Sequence, residues 1–423
     1  MNLKRLAFAF VFASVLAVGL AAGAETLERR EGLKIGERLT LRPYVTMSAT
    51  YDSNVGASGS NPDMHKRRDF FWSISPSLWL HYNAETWSII LSGFYTYHQY
   101  FKNENRGYDS HNYGEDFRWN WANSTGREKG WSLVLGQSFQ QRSRSSSDIT
   151  TDSGARHGSD SRQFQLAASA QRRLNQYLHG DVNASYYWLD YDNSSSSGKK
   201  QPFYGWDRWL AGAEIGFAPS PWTDIIVSGS YQGYSQKNTS GTGLSQDSSG
   251  YSFQAGLGSY MTERISYRVL AGWSHFEYAG TGSSGASDGF VYTVSGNWKI
   301  GDTWNTMLLA TSYFQPSERQ QASKSRVDAV SWGLAKTMIR GKLRATADLR
   351  YRRETNEYQL SGGNDYVLNI WTGRIGLSYS LIRYLSVHAY GEYQKSMNDD
   401  SSSRHGAYDY DRLRLTVGLK LSY

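Results

Sequence analysis

Between Leu343 and Arg352, charged and hydroxyl side chains return at every second residue as Arg344, Thr346, Asp348, Arg350 and Arg352, with Leu343, Ala345, Ala347, Leu349 and Tyr351 filling the gaps. Successive side chains of an extended strand point to opposite faces, so this spacing gathers the guanidinium groups on one face and the hydrocarbon on the other. A row of fixed cations does no covalent chemistry. Its summed field raises the local concentration of anionic solutes. The other alternating segments, read the same way, put Arg42, Arg118, Arg208, Arg268, Lys299, Arg344, Arg350, Arg352, Arg374, Arg412, Arg414 and Lys420 on the water face, against Asp116, Asp181, Glu214, Asp348 and Glu392. Two uses stay open for them: an anion-selective field, or a ladder of paired charges that only solvates the wall.

Covalent chemistry finds little to work with. The chain has no Cys, which removes disulfides, thiolate metal sites and thiol nucleophiles. It has no His-Glu-x-x-His pair, Gly-x-x-x-x-Gly-Lys-Ser/Thr phosphate loop or calcium loop, so no catalytic residue, metal or cofactor is expected. Asp52, Asp69, His98, Asp109 and His111 lie near strand ends and are the one set that could converge as a rim hydrolase. No Lys/Arg block suits a nucleic-acid backbone.

The elements that must position these residues are strands. With 423 residues, 39% hydrophobic and 15% aromatic, the chain is too polar for a bundle of membrane helices and too aromatic for disorder. From 411 to 423, Leu413, Leu415, Val417, Leu419, Leu421 and Tyr423 share one face, and Arg412, Arg414, Thr416, Gly418, Lys420 and Ser422 the other. Tight turns fall near residues 84, 126, 174, 220, 262, 301, 340 and 382, alternating with nine longer polar loops. Eight turns and nine loops join 18 strands, which predicts an all-β, antiparallel up-and-down transmembrane barrel of 16 to 18 strands with both ends on the periplasmic side. Parity is ambiguous around 303 to 340. Trp87, Trp131, Trp222 and Trp304 stand beside the tight turns and Tyr51, Tyr97, Tyr191 and Tyr278 beside the loops, as two interfacial girdles require. Pro76 deletes a ladder donor inside a strand and predicts a bulge. Glu115 and Lys336 fall on the lipid parity, which implies bulged strands or a place at the rim.

At the N-terminus, Lys4 and Arg5, the apolar run Leu6 to Leu20 and Ala22-Gly23-Ala24 form an export signal. The expected organisation is a signal peptide over 1–24, a short periplasmic lead over 25–38 and the barrel over 39–423. The lead is too small for a plug, which argues against an energy-coupled uptake receptor. Formal net charge is +7, and loss of Lys4 and Arg5 with the signal lowers it by two.

Tyr51-Asp52-Ser53-Asn54-Val55 at the top of the first strand, echoed by Tyr191-Asp192-Asn193, resembles the opening of the putative beta-barrel porin 2 family. The terminal Tyr423 resembles the aromatic signal that hands outer-membrane barrels to their insertion machinery. The resemblance implies a porin-like conduit in the bacterial outer membrane, with lipid and that machinery as partners. Because family members are often associated with exopolysaccharide secretion, it also implies the outer exit for an exported polysaccharide and a periplasmic export component as a further partner. The alternatives are a general anion-preferring diffusion porin and a structural or adhesive barrel with a blocked lumen.

Overall fold

The computed structural model describes residues 32–54, 68–101, 110–123, 130–142, 160–192, 205–220, 222–237, 246–262, 264–280, 283–316, 322–358, 366–398 and 409–422. The signal region, Val55 and Tyr423 lie outside them. The strands are β1 (Leu33–Ile35), β2 (Leu39–Asp52), β3 (Asp69–Asn83), β4 (Trp87–Tyr100), β5 (Ser110–Ala122), β6 (Gly130–Arg142), β7 (Asp160–Arg173), β8 (Leu178–Asp192), β9 (Gly205–Ser220), β10 (Thr223–Lys237), β11 (Gln246–Thr262), β12 (Ile265–Gly280), β13 (Ser283–Ile300), β14 (Trp304–Pro316), β15 (Ala322–Met338), β16 (Leu343–Tyr358), β17 (Tyr366–Ile382), β18 (Leu385–Asn398) and β19 (Tyr410–Ser422).

Each strand from β2 to β19 pairs antiparallel with its sequence neighbours, and β19 pairs with β2, so 18 strands close into a barrel. Closure follows from the solvent: in hydrocarbon an open edge of unpaired N–H and C=O groups costs several kcal/mol per group. The seam runs from Arg414↔Asp52 to Ser422↔Tyr44. Below it, β1 pairs with Leu39 to Leu41 of β2 and covers the edge that β19 leaves, so part of the expected lead is a strand rather than irregular chain.

Cross-strand partners point to the same side, which fixes the two faces. One carries Met47, Leu91, Val227, Phe253, Trp273, Ile375 and Val417, all large, apolar and exposed; hydrocarbon is the solvent in which that exposure is favourable. On it Trp131 packs under Arg172, with the guanidinium carbon 4.8 Å from the ring. Lys336 lies over Trp304 at 4.3 Å beside a tight turn, which puts this lipid-parity lysine at the rim. Glu115 also faces outward, opposite Gly93 and Phe139, in strands with no register shift.

Pro76 makes no bulge. The β2–β3 register runs straight through Val45↔Pro76. Toward β4 the ladder lapses at Ser75 and Pro76 and resumes in the same register, with Ser75 and Thr96 hydroxyls bridging the gap at 2.7 Å. The β15–β16 turn holds Ile339 and Arg340 at φ 52° and Gly341 at φ 84°. A β-branched residue in the left-handed region costs roughly 1–2 kcal/mol. Ile339→Asn is therefore expected to stabilise the barrel by about 1 kcal/mol, read as a higher urea midpoint in lipid vesicles; an unchanged midpoint would show that the turn carries no strain.

Candidate functional site

The face opposite the apolar one lines the lumen. The register places all of Arg42, Arg118, Arg208, Arg268, Lys299, Arg344, Arg350, Arg352, Arg374, Arg412, Arg414 and Lys420 on it, together with Asp116, Asp181, Glu214, Asp348 and Glu392. Their surroundings differ. Arg268 on β12 reaches across to Glu214 on β9, with Nη1 donating to Oε1 at 3.0 Å. Arg352 sits 2.7 Å from Glu354, a buried carboxylate the alternation had not singled out. Four cations lie on aromatic rings: Arg42 on Trp79, Arg208 on Tyr234, Arg374 on Tyr390 and Lys420 on Tyr44, at 4.5, 5.5, 4.1 and 4.0 Å. Such contacts fix a charge in place without cancelling it. Arg118 donates to the Asn120 side chain at 2.9 Å, and Arg344 and Arg350 have no ion pair among the described residues.

Asp52 organises the top of the seam. It is fully buried, and Arg412, only 2% exposed, binds it through Nε at 2.9 Å and through Nη2. Arg414 adds a contact at 3.3 Å while also facing Glu392 at 3.7 Å. The Asn54 backbone N–H donates to Asp52 Oδ1 at 3.0 Å, and Asn54 Nδ2 donates to the Asp411 carbonyl at 2.9 Å. The Leu413 N–H donates to the Ser53 hydroxyl at 2.7 Å. The motif Tyr51-Asp52-Ser53-Asn54 thus ties the first barrel strand to the last, and Arg412 is spent on that tie.

The lumen narrows on its opposite wall. β13 extends up to Ser283, yet β14 accompanies it only as far as Tyr292↔Ser312. Beyond that pair β14 parts from β13, keeps its ladder with β15 as far as Pro316↔Lys324, and overlaps the inner face of β10 to β13. Gln232 of β10 donates to the Phe314 carbonyl at 3.3 Å, and Phe314 joins Tyr234, Phe276 and Val291 in a buried cluster with Trp206 against it. The Phe314 ring lies over Gly289, where a Cβ would stand 2.9 Å from Cζ. Lower on β14, Met307 and Leu309 face the lumen, 58% and 41% exposed. Apolar residues on both faces of β14 explain why parity was ambiguous there.

The rim set assembles only in part: Asp52 and Asp69 are cross-strand partners on the inner face, both fully buried. His98 faces inward against Phe71 at 5.5 Å, whereas His111 faces outward, hydrogen-bonded to Tyr95 and packed on Tyr97. Asp109 lies outside the described residues. Among the described residues no group of three or more His, Cys, Asp or Glu side chains is placed to hold a metal ion.

A model of the putative beta-barrel porin 2 family matches residues 30–423. No curated protein sequence matches the chain. Among solved structures, it is similar to the siderophore receptor PirA from Pseudomonas aeruginosa, with 7% identity, 92% of this chain and 81% of that one covered, and a TM-score of 0.44. The FrpB iron transporter from Neisseria meningitidis aligns at 9% identity over 94% of this chain and 83% of its own, with a TM-score of 0.47. The ferric-catecholate import receptor Fiu from E. coli K12 gives 9%, 92%, 82% and 0.42. Likenesses this distant bear on the fold of the wall alone. None of the structures named is a polysaccharide exporter, so the expected role as outer exit for an exported polysaccharide finds no support here and is not carried forward, nor is its periplasmic export partner.

Proposed function

The chain belongs to the putative beta-barrel porin 2 family and is a bacterial outer-membrane barrel, and from that premise we propose that it is a passive diffusion channel that prefers anions. The expected organisation carries over to this proposal: a signal over 1–24, a short lead to residue 38, then the barrel, inserted through its C-terminal strand by the cell's barrel-insertion machinery. One observation supports the reading above others. After the buried or close pairs Arg412–Asp52, Arg352–Glu354 and Arg268–Glu214 are set aside, the lumen still carries Arg42, Arg208 and Lys420 on aromatic rings, and Arg344 and Arg350 without an ion pair among the described residues. A barrel of this strand number encloses water, so each cation acts through the summed field rather than by a contact.

Reversal potentials in planar bilayers under a KCl gradient test the proposal. A mean lumen potential of about one kT favours chloride over potassium by about sevenfold. Raising salt to about 1 M shortens the Debye length to about 3 Å and should bring the ratio toward one. Replacing Arg344 and Arg350 by Gln should do so at low salt. A cation preference, or a ratio indifferent to both changes, would refute the reading. The aromatic cluster around Phe314 favours one competitor, a barrel blocked at rest, for which the wild-type protein would pass no current.

A further inference from the structure

Below the inward end of β14, a recess of about 410 Å³ opens in the lumen wall across β14 to β18, within the range of small-ligand pockets. One row of the register crosses it: Leu309, Ser331, Arg350, Thr372 and Gln394 are successive partners on five adjacent strands. The row is graded. At one end Leu309 shows 41% of its surface to the lumen, with Met307 one step below it and Ala329 on the neighbouring strand. At the centre stands Arg350, exposed and without an ion pair among the described residues, between two hydroxyl side chains. Asp348, Arg352, Arg374 and Glu392 also border the recess. Arg352 is committed to Glu354, and Arg374 is opposed in register by Asp348 and Glu392 while it lies on Tyr390.

A lumen that only conducted small inorganic ions would have no use for exposed Met307 and Leu309, because apolar surface in water is unfavourable unless something covers it. With strands about 4.8 Å apart, Leu309 and Arg350 stand about 10 Å apart at the backbone, two strands removed. That separation suits a ligand with an anionic head and a flat apolar body.

We propose that this recess is a binding site for aromatic monocarboxylates, with Arg350 gripping the carboxylate through two parallel N–H bonds, Ser331 and Thr372 donating their hydroxyls, and Leu309, Met307 and Ala329 covering the ring. A fully polar sugar acid leaves the apolar strip wet, and a neutral aromatic leaves Arg350 unpaired; each forfeits half of the site. The inference rests on the anion-channel reading and narrows it to a solute class.

Isothermal titration of benzoate, acetate and benzyl alcohol into the full-length barrel in detergent, against a micelle blank, reads the site directly, and block of KCl current by benzoate reads it in the channel. Benzoate should bind more tightly than either partial mimic. Arg350→Gln should weaken benzoate and acetate alike by about tenfold. Leu309→Gln should weaken benzoate by several-fold and leave acetate unchanged, which a general loss of charge or of fold would not do. Both side chains are exposed, so neither change removes core packing. Equal affinity for benzoate and acetate, or indifference to Leu309→Gln, overturns the site while leaving the channel intact. Benzoate binding that survives in a barrel passing no current overturns the channel reading and supports the site.

Discussion

Asp52→Asn should destabilise the barrel by about 3–5 kcal/mol, the cost of leaving one member of a buried ion pair without its partner. The substitution keeps the shape of the side chain and removes its charge, so Arg412, 2% exposed, would remain buried without the Asp52 carboxylate that binds it. Asp52 also accepts from Arg414 and from the Asn54 N–H, so its loss loosens the whole top of the seam, down to the Thr50–Thr416 hydroxyl pair at 2.8 Å. The seam matters more than other hairpins because Asp52 and Arg412 are separated by 360 residues. No tight turn holds them together, and their pairing must offset the entropy of closing the whole chain. The expected result is a lower urea midpoint in vesicles and loss of the heat-modifiable folded band on gels. Asp52→Leu combined with Arg412→Met should recover much of the loss, since apolar replacement of a buried pair is often neutral or better. A single mutant within about 0.5 kcal/mol of wild type would show that the ion pair is incidental to closure.

This clasp marks the boundary of what sequence patterning reveals. The period of two in β16 and β19 identifies both faces from a few residues, because side-chain direction in a strand is a local property. Seven of the eight tight turns lie at the junctions of the strands expected to flank them, and the one near 126 falls outside the described residues, since turn chemistry is local too. Asp52 and Arg412 are a different matter: alternation shows that each points inward, and nothing in it shows that they meet. Alternation therefore leaves Arg412 open between a solute-facing charge and a member of a paired ladder. Glu354, which holds Arg352, was hidden in the same way. Pro76 suggested a bulge because its missing N–H was counted, whereas the Ser75–Thr96 hydroxyl contact that compensates is a tertiary detail. In β14, the consecutive apolar residues Met307, Leu308 and Leu309 defeat any two-faced reading, and the physical reason is that the lumen side there is itself apolar. Phe314 has lipid parity in sequence. Its strand has parted from β13 while staying paired with β15, so that parity turns the ring onto the inner surface of β10 to β13 instead.

That displacement makes Phe314→Ala the substitution with the largest expected effect on conduction. Truncating a buried Phe costs about 3–5 kcal/mol, and here the loss falls on the arrangement that holds the upper end of β14 across the lumen, because Phe314 is its ring in the cluster with Tyr234, Phe276 and Val291. Across the gap to β10 the hydrogen bond from Gln232 at 3.3 Å would remain, worth about 1 kcal/mol, beside the ladder that joins β14 to β15 as far as Pro316↔Lys324. A shift of about 3 kcal/mol changes the ratio of held to released forms by more than a hundredfold, enough to turn a rare excursion into a populated state. Single-channel records of the mutant should show larger and noisier unit conductance than wild type, with anion preference kept, since the ladder on β16 to β19 lies on another part of the wall. Gly289→Val should act in the same direction by a different route, because its side chain would occupy the 2.9 Å gap beneath the Phe314 ring. Current appearing in both mutants from a silent wild-type barrel would mean that the cluster closes the pore at rest. Identical conductance and noise in all three proteins would mean that the aromatic cluster does not limit flow, and that the narrowest section lies elsewhere along the lumen.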